Sequence, residues 1–247
     1  MIHQLNQHRS IRKYTNQPIG KDLLESILEA GIRASNTGNM QMYAVIVTED
    51  EKQKEALSPA HFNQPMVKNA PVVLTLCADF RRVHQWCKIN NADASYDDLL
   101  WLINGTIDSM LVAQNISVAA ESKGLGLCYL GTTIYNAPQI IETLQLPKGV
   151  IPITTITLGW PDANPPLTNR LPMNAVVHYE KYQDFSDADI QSLYKEKEEL
   201  EESIKFVKEN NKDNLAQVYT DVRYKRADNA HFTKVLKETL IAQGFKL

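Results

Sequence analysis

Residues 99–120, LLWLINGTIDSMLVAQNISVAA, form an apolar run as long as a bilayer is thick, and the way it is buried constrains the rest of the chain. Asn104, Asp108, Gln114 and Asn115 interrupt the run, and a lone aspartate near the centre of a membrane helix costs about 3 kcal/mol. The run therefore reads as the buried central helix of a soluble protein, starting at Leu99, reaching about Lys123 and stopping at Gly124, the expected residue just past a helix end. A helix of that length needs a large body around it, and 247 residues suffice for one large domain. With 43% hydrophobic and 22% charged residues, the composition excludes collagen-like, disulfide-scaffold and disordered classes. Lys+Arg 26 against Asp+Glu 29 leaves a net charge of −3, which gives no electrostatic case for binding nucleic acid. Cys77, Cys87 and Cys128 cannot all pair and form no C-x-x-C, which points to inert thiols in a reducing compartment. The stretch MIHQLNQHRSIRKY lacks the apolar core of a secretory leader, so a cytoplasmic location away from membranes is expected.

Around that helix, Asp22 to Ala34 places Leu24, Ile27, Leu28 and Gly31 on one side at helical spacing. Met42–Thr48, Val72–Ala78, Leu127–Leu130 and Ile151–Leu158 are short runs that read as strands. Asn136-Ala-Pro138 has the form of a helix start, with Pro in the first turn and the helix ending near Leu144. A proline-punctuated loop, NPPLTNRLP, follows the last strand, and loops of that length usually carry function or are disordered. Beyond Tyr182 the chain turns polar: an exposed helix is expected over Ser186–Ser203, begun by a Ser186 cap, and an amphipathic one over His231–Gln243. Strands separated by helices make the class α+β or α/β, and spacing alone does not choose between them. Residues 1–182 read as a core and 183–247 as a helical extension of the same domain.

The common catalytic patterns are absent. There is no G-x-x-x-x-G-K-[ST] and no G-x-G-x-x-G opening a helix, and the six histidines form no H-E-x-x-H, so no metal site is expected. Ser10–Lys13 spells S-x-x-K without the S-D-N and K-T-G that acyl-serine chemistry needs. Two polar clusters remain. His8-Arg9-Ser10-Ile11-Arg12-Lys13 is either a solvated basic stretch or a site for a phosphate-bearing cofactor, since Arg forks match phosphate oxygens and Ser adds a donor. Ser35–Met42 is either a polar turn or a loop that reads the amide-like edge of a heterocycle. It carries more neutral donors and acceptors than a turn requires, and Gln41 and Gln64 are the side chains singled out.

Six segments together carry a resemblance: HRSIRKY at 8–14, IRASNTGNMQMY at 32–43, FNQPMV at 62–67, CADF at 77–80, AAESKGLGLCYLG at 119–131 and LGWPDANPPLTNRLP at 158–172. In that order and spacing they resemble the nitroreductase family of FMN-dependent oxidoreductases, over about residues 5–182. The look is nearest to its branch of major oxygen-insensitive nitroreductases and NADPH–flavin oxidoreductases. The resemblance implies an α+β fold, a mixed sheet surrounded by helices, and an intertwined homodimer whose interface forms the FMN sites. The helix from Leu99 would then lie in the dimer core, with the C-terminal extension embracing the partner.

By the same resemblance His8, Arg9, Ser10 and Arg12 form the N-terminal flavin-binding motif, with Arg9 and Ser10 towards phosphate and Arg12 towards the ring or the nicotinamide nucleotide. Asn39, Gln41 and Gln64 fall near the ring or ribityl chain, Tyr129, Leu130 and Gly131 over one side of the flavin, and Arg170 by the phosphate. The implied activity is two-electron, ping-pong transfer of hydride from NADPH or NADH to nitroaromatics, quinones or flavins. Solvent supplies the protons, so no catalytic residue is named. The alternatives are a flavin reductase that supplies reduced FMN or FAD, and a flavin-binding protein without turnover. Two features depart from the branch. Thr168 stands where a lysine is typical, and the branch's Arg-containing loop for the NADPH 2′-phosphate does not align after residue 205, where DVRYKRAD, with Arg223, Lys225 and Arg226, is either such a site or a solvated surface run.

Overall fold

The four β-branched runs pair with one another because each is too apolar to leave either face in water. In the computed structural model, which describes residues 2–247, they are β1 (Tyr43–Thr48), β2 (Val72–Asp79), β3 (Gly126–Leu130) and β4 (Val150–Gly159). They form one sheet in the order β1-β2-β4-β3, which puts β1 and β3 at its two edges. All three strand pairs are antiparallel. The α+β class is as expected, but the sheet is not the mixed one the resemblance implied. The segment running parallel beside β3 touches it through one bridge, Ser10 to Leu127, too little to add a strand.

Among the described residues seven α-helices lie before Pro166: α1 (Ile2–Asn6), α2 (Lys21–Ile32), α3 (Glu51–Leu57), α4 (Pro65–Asn69), α5 (Arg81–Ile89), α6 (Leu99–Ser122) and α7 (Ala137–Thr143). Sheet side chains alternate between two cores. Val72, Leu74, Leu76, Leu127, Ile156 and Leu158 pack with Leu24 and Ile27 of α2 and with Val112, Ile116 and Ala120 of α6. Val73, Cys128 and Leu130 face the other way, onto Leu57, Met66, Val67 and Ile140 of α3, α4 and α7. Helix α6 is capped by the Asp98 carboxylate, which accepts from Trp101 N at 3.0 Å. It ends ahead of Gly124, whose φ of +82° is the left-handed turn anticipated there.

Its surface is divided. Leu102, Gly105, Asp108, Val112, Ile116 and Ala120 are buried, whereas Leu99, Leu100, Ile103, Ile107, Met110 and Leu111 are 39–63% exposed. Among the described residues no helix is long and apolar enough to cross a membrane.

Packing gathers the chain into two units, one ending at Pro166 and resumed by Phe232–Leu247, the other Leu167–His231; the sequence boundary at 182 lies inside the second. The second unit holds α8 (Asp187–Glu199), α9 (Glu201–Glu209), α10 (Leu215–Val218) and the start of α11 (Arg226–Ala242). Ser186 caps α8 through a reciprocal pair with Asp189. The single helix expected over Ser186–Ser203 is two, broken at Leu200. Glu201 and Glu202 oppose the dipole at the C-terminus of one helix and favour it at the N-terminus of a new one.

Candidate functional site

The basic cluster is held flat against β3. Ile11 N donates to Leu127 O at 2.8 Å, and the Tyr14 hydroxyl, buried, donates to Ile11 O at 2.6 Å. Gly126 makes the approach possible: a Cβ there would meet Ile11 Cγ1 at 2.5 Å and Ile11 Cβ at 2.7 Å. The four predicted residues then separate by partner. His8 Nδ1 lies 2.7 Å from Glu121 Oε1. Arg9 donates to Asn164 Oδ1 at 2.7 Å, Pro165 O at 3.0 Å and Gln7 Oε1 at 3.1 Å, on the wall of a cavity of about 610 Å³ lined also by Gly124–Gly126 and Pro161–Asn164. Ser10 makes the bridge to Leu127.

Arg12 is exposed and shares a second cavity, of about 510 Å³, with Lys13, Gln64, Asn69 and Asp162. Gln64 stands there because Pro65 starts α4 directly behind it. Beneath them, burial pushes the Cys128 thiol up, while the Arg12 guanidinium beside it pulls the other way. The structure thus brings Arg12 and Gln64 together.

The next segment divides by strand alternation. Leu130 shares the Cys128 face of the sheet, whereas Tyr129 turns onto the α6 face and its hydroxyl accepts from Ser117 Oγ at 2.9 Å. Burial pushes that hydroxyl's pKa up, with the Ser117 bond opposing it. Gly131 is exposed, with nothing within 4 Å of where a Cβ would stand. The following turn is anchored by His61, fully buried, whose Nδ1 lies 2.8 Å from Thr132 Oγ1. Burial lowers its pKa to about 4. Asn136 starts α7 without capping it; its amide donates instead to Ala60 O at 2.8 Å, tying α7 to the same turn.

The polar loop lies elsewhere. Gly38, Asn39 and Gln41 all have left-handed φ, between 53° and 58°. Gln41 Nε2 donates to Asn39 Oδ1 at 3.4 Å, and Gln41 N to Asn36 Oδ1 at 3.1 Å. The loop leads into β1, whose first residue, Tyr43, pairs with Ala78 and, through it, stands level with Ile151. Ser10 stands level with Leu127 and Leu158. The loop and the basic cluster are therefore at opposite edges and opposite ends of the sheet. Between the edge strands alone the offset is about 14 Å across and, from Ile151 to Leu158, about 23 Å along, further than one extended flavin mononucleotide reaches. In the second unit Arg170 stays in its own loop, donating to Thr168 Oγ1 at 2.6 Å, and the Arg223 guanidinium lies 4.3 Å from the centre of the Phe206 ring.

Two residues outside the predicted set shape the loop. Asp108 accepts from Thr37, and Arg82 donates to Gln41 O and, at 3.2 Å, to Tyr43 O. Asp108 stood out in the sequence only as a charge unsuited to a membrane; nothing local names its partner.

Residues 5–160 match the profile of the Nitroreductase family. The chain belongs to the nitroreductase family. Within it, the chain is 36% identical over 191 residues to the NADPH-flavin oxidoreductase of Vibrio harveyi, covering 77% of this chain and 78% of that one. It is 33% identical over 258 residues to the FMN reductase [NAD(P)H] of Bacillus subtilis (strain 168), covering 100% and 98%. A crystal structure from Bacteroides fragilis NCTC 9343 superposes with a TM-score of 0.97 at 49% identity, over 99% of this nitroreductase-family chain and 100% of the other. The likeness therefore extends past the six recognised motifs, through the extension that they left unaligned.

Proposed function

We propose that this nitroreductase-family protein is an FMN-dependent NAD(P)H oxidoreductase acting as a homodimer on nitroaromatics, quinones or flavins. The residues present fit the cofactor. Arg12 and Lys13 supply cations for a phosphate, Gln64, Asn39 and Gln41 supply neutral amides for the edge of the ring, and bare Gly131 leaves room for a flat ring face. FMN, when bound, would supply the two-electron redox chemistry between the nicotinamide nucleotide and the acceptor. The chain's own part is to bind, to orient and to keep the ring face open; no side chain is assigned a proton.

The division of the candidate residues between opposite edges of the sheet carries the reading. One site needs the basic cluster of one copy and the 36–41 loop of another, and the exposed stripe on α6 is the apolar face that a second copy covers. In this reading His8, Arg9, Ser10 and Arg12 serve the phosphate side, with Arg170 joining them, and Tyr129 and Leu130 frame the ring by their backbone. Residues 1–182 form the cofactor-binding core, and 183–247 reach round the partner. Arg223 already stacks on Phe206, which leaves Arg226 and Lys225 freer to meet a 2′-phosphate. Three buried, unpaired cysteines accord with a cytoplasmic location.

The test is an absorption spectrum of the purified protein followed by anaerobic titration with NADPH and NADH. Flavin bands that bleach with either nucleotide are expected, and the steeper titration names the preferred donor. A colourless protein that FMN does not reconstitute overturns the reading. A yellow protein inert to both nucleotides leaves only flavin binding, and faster turnover of free flavin than of any nitro compound selects the flavin-reductase form.

A further inference from the structure

Asp108 lies midway along α6 and is 1% exposed, and among the described residues no Lys, Arg or His pairs with it. Taking a carboxyl group out of water with no counter-charge is costly, and an apolar side chain would suit the rest of this helix better. Its hydrogen bonds, among the described residues, all come from one residue. Thr37 N donates to Oδ1 at 2.9 Å and to Oδ2 at 3.2 Å, and Thr37 Oγ1 donates to Oδ1 at 3.1 Å. Thr37 opens the Thr37–Asn39 turn, directly ahead of the left-handed residues Gly38, Asn39 and Gln41. Left-handed φ at Asn39 and Gln41 is strained and persists only where the surroundings hold it. Here the holders are Asp108 at one end of the loop and Arg82 at the other. Ile107 and Leu111, beside Asp108 on the helix, belong to the exposed apolar stripe, so the carboxyl flanks the face assigned to the second copy.

We infer that Asp108 is a positioning residue for the cofactor site. It fixes the strained loop so that Asn39 and Gln41 present their amides outward, and it registers that loop to the helix that the second copy packs against. The inference deepens the FMN reading and rests on it for the ligand, while the latch itself is a property of the free chain. A purely structural role for Asp108 would spread any loss over the whole core. A latch confines it to residues 36–41.

The experiment pairs Asp108→Asn, which keeps the shape, with Thr37→Val and Thr37→Ser. Amide hydrogen exchange is followed in the protein as purified, and FMN affinity is measured by quenching of flavin fluorescence. Asp108→Asn is expected to speed exchange at residues 36–41 about tenfold, with β2 and β4 unchanged, and to weaken FMN binding by a similar factor, on the order of one lost charge-assisted contact. Thr37→Ser is expected to match the parent in both readouts. Thr37→Val removes the Oγ1 bond but keeps the Thr37 N–H donor, so added to Asp108→Asn it is expected to cost less than the sum of the two single substitutions, because both weaken the same contact. Unchanged loop exchange in Asp108→Asn, or acceleration spread evenly over the sheet, overturns the inference. If the parent protein takes up no FMN, the cofactor reading falls, while the exchange result still decides the latch.

Discussion

Ile107→Asp is expected to yield a folded monomer that retains no FMN. Ile107 is 49% exposed in the single chain, in the middle of the stripe formed by Leu100, Ile103, Ile107 and Leu111, so its removal takes little from the fold. In the proposed pair the same position lies in an apolar interface, and two-fold symmetry places the substitution there twice. Burying two unpaired carboxylates costs several kcal/mol, enough to dissociate a dimer at micromolar concentration. The flavin should go with it, because the 36–41 loop of the other copy is then missing from each site. Sedimentation equilibrium and the visible spectrum, read together with an Ile107→Leu control, check both parts. A yellow dimer of Ile107→Asp would remove α6 from the interface.

Acid should reveal His61. Its imidazole is fully buried and its pKa is lowered to about 4 by desolvation, against 6.5 when free. Between those values the unfolded chain binds a proton that the folded chain refuses. Stability therefore falls as the pH is lowered from about 6.5 to 4, by about 3 kcal/mol in all, and no further below that. At neutral pH the group contributes no pH dependence. His61→Asn, which can still reach Thr132 Oγ1, should lack this component. Urea midpoints collected across the window should run flatter for the variant than for the parent; parallel curves would mean that His61 is charged in the fold or more hydrated than its burial implies.

Elements with a long or strongly one-sided apolar pattern were legible from sequence. α6 begins at Leu99 as read, and the four strands fall within a residue or two of their runs. The short helices α3 and α5 were not read from the sequence: α3 buries only Lys54 and Leu57, and α5 only Val83 and Cys87, a helical spacing that nine residues state just once. Both polar clusters stood out because their composition exceeds what a turn needs. What sequence spacing lacks is the order of strands. Nothing in HRSIRK or SNTGNMQM says that one will lie beside β3 and the other ahead of β1, with two strands between. The partner of Asp108 was hidden for the same reason. Its carboxyl group is visible as an anomaly inside the apolar run, but Thr37 lies 71 residues away, and only the packing of α6 on the sheet brings them together.

In the proposed dimer, the placement of Arg12 and Gln41 at opposite sheet edges has a genetic consequence. A copy damaged at Arg12 and a copy damaged in the 36–41 loop each make only dead sites when paired with themselves. Paired with one another, they concentrate both lesions in one site and leave the other whole. Equal amounts assembling at random make about half of the pairs mixed, and so leave about a quarter of all sites intact. Two null alleles of one gene would then complement each other in the same cell, and a defect in the loop would be felt by the neighbour of the protein that carries it.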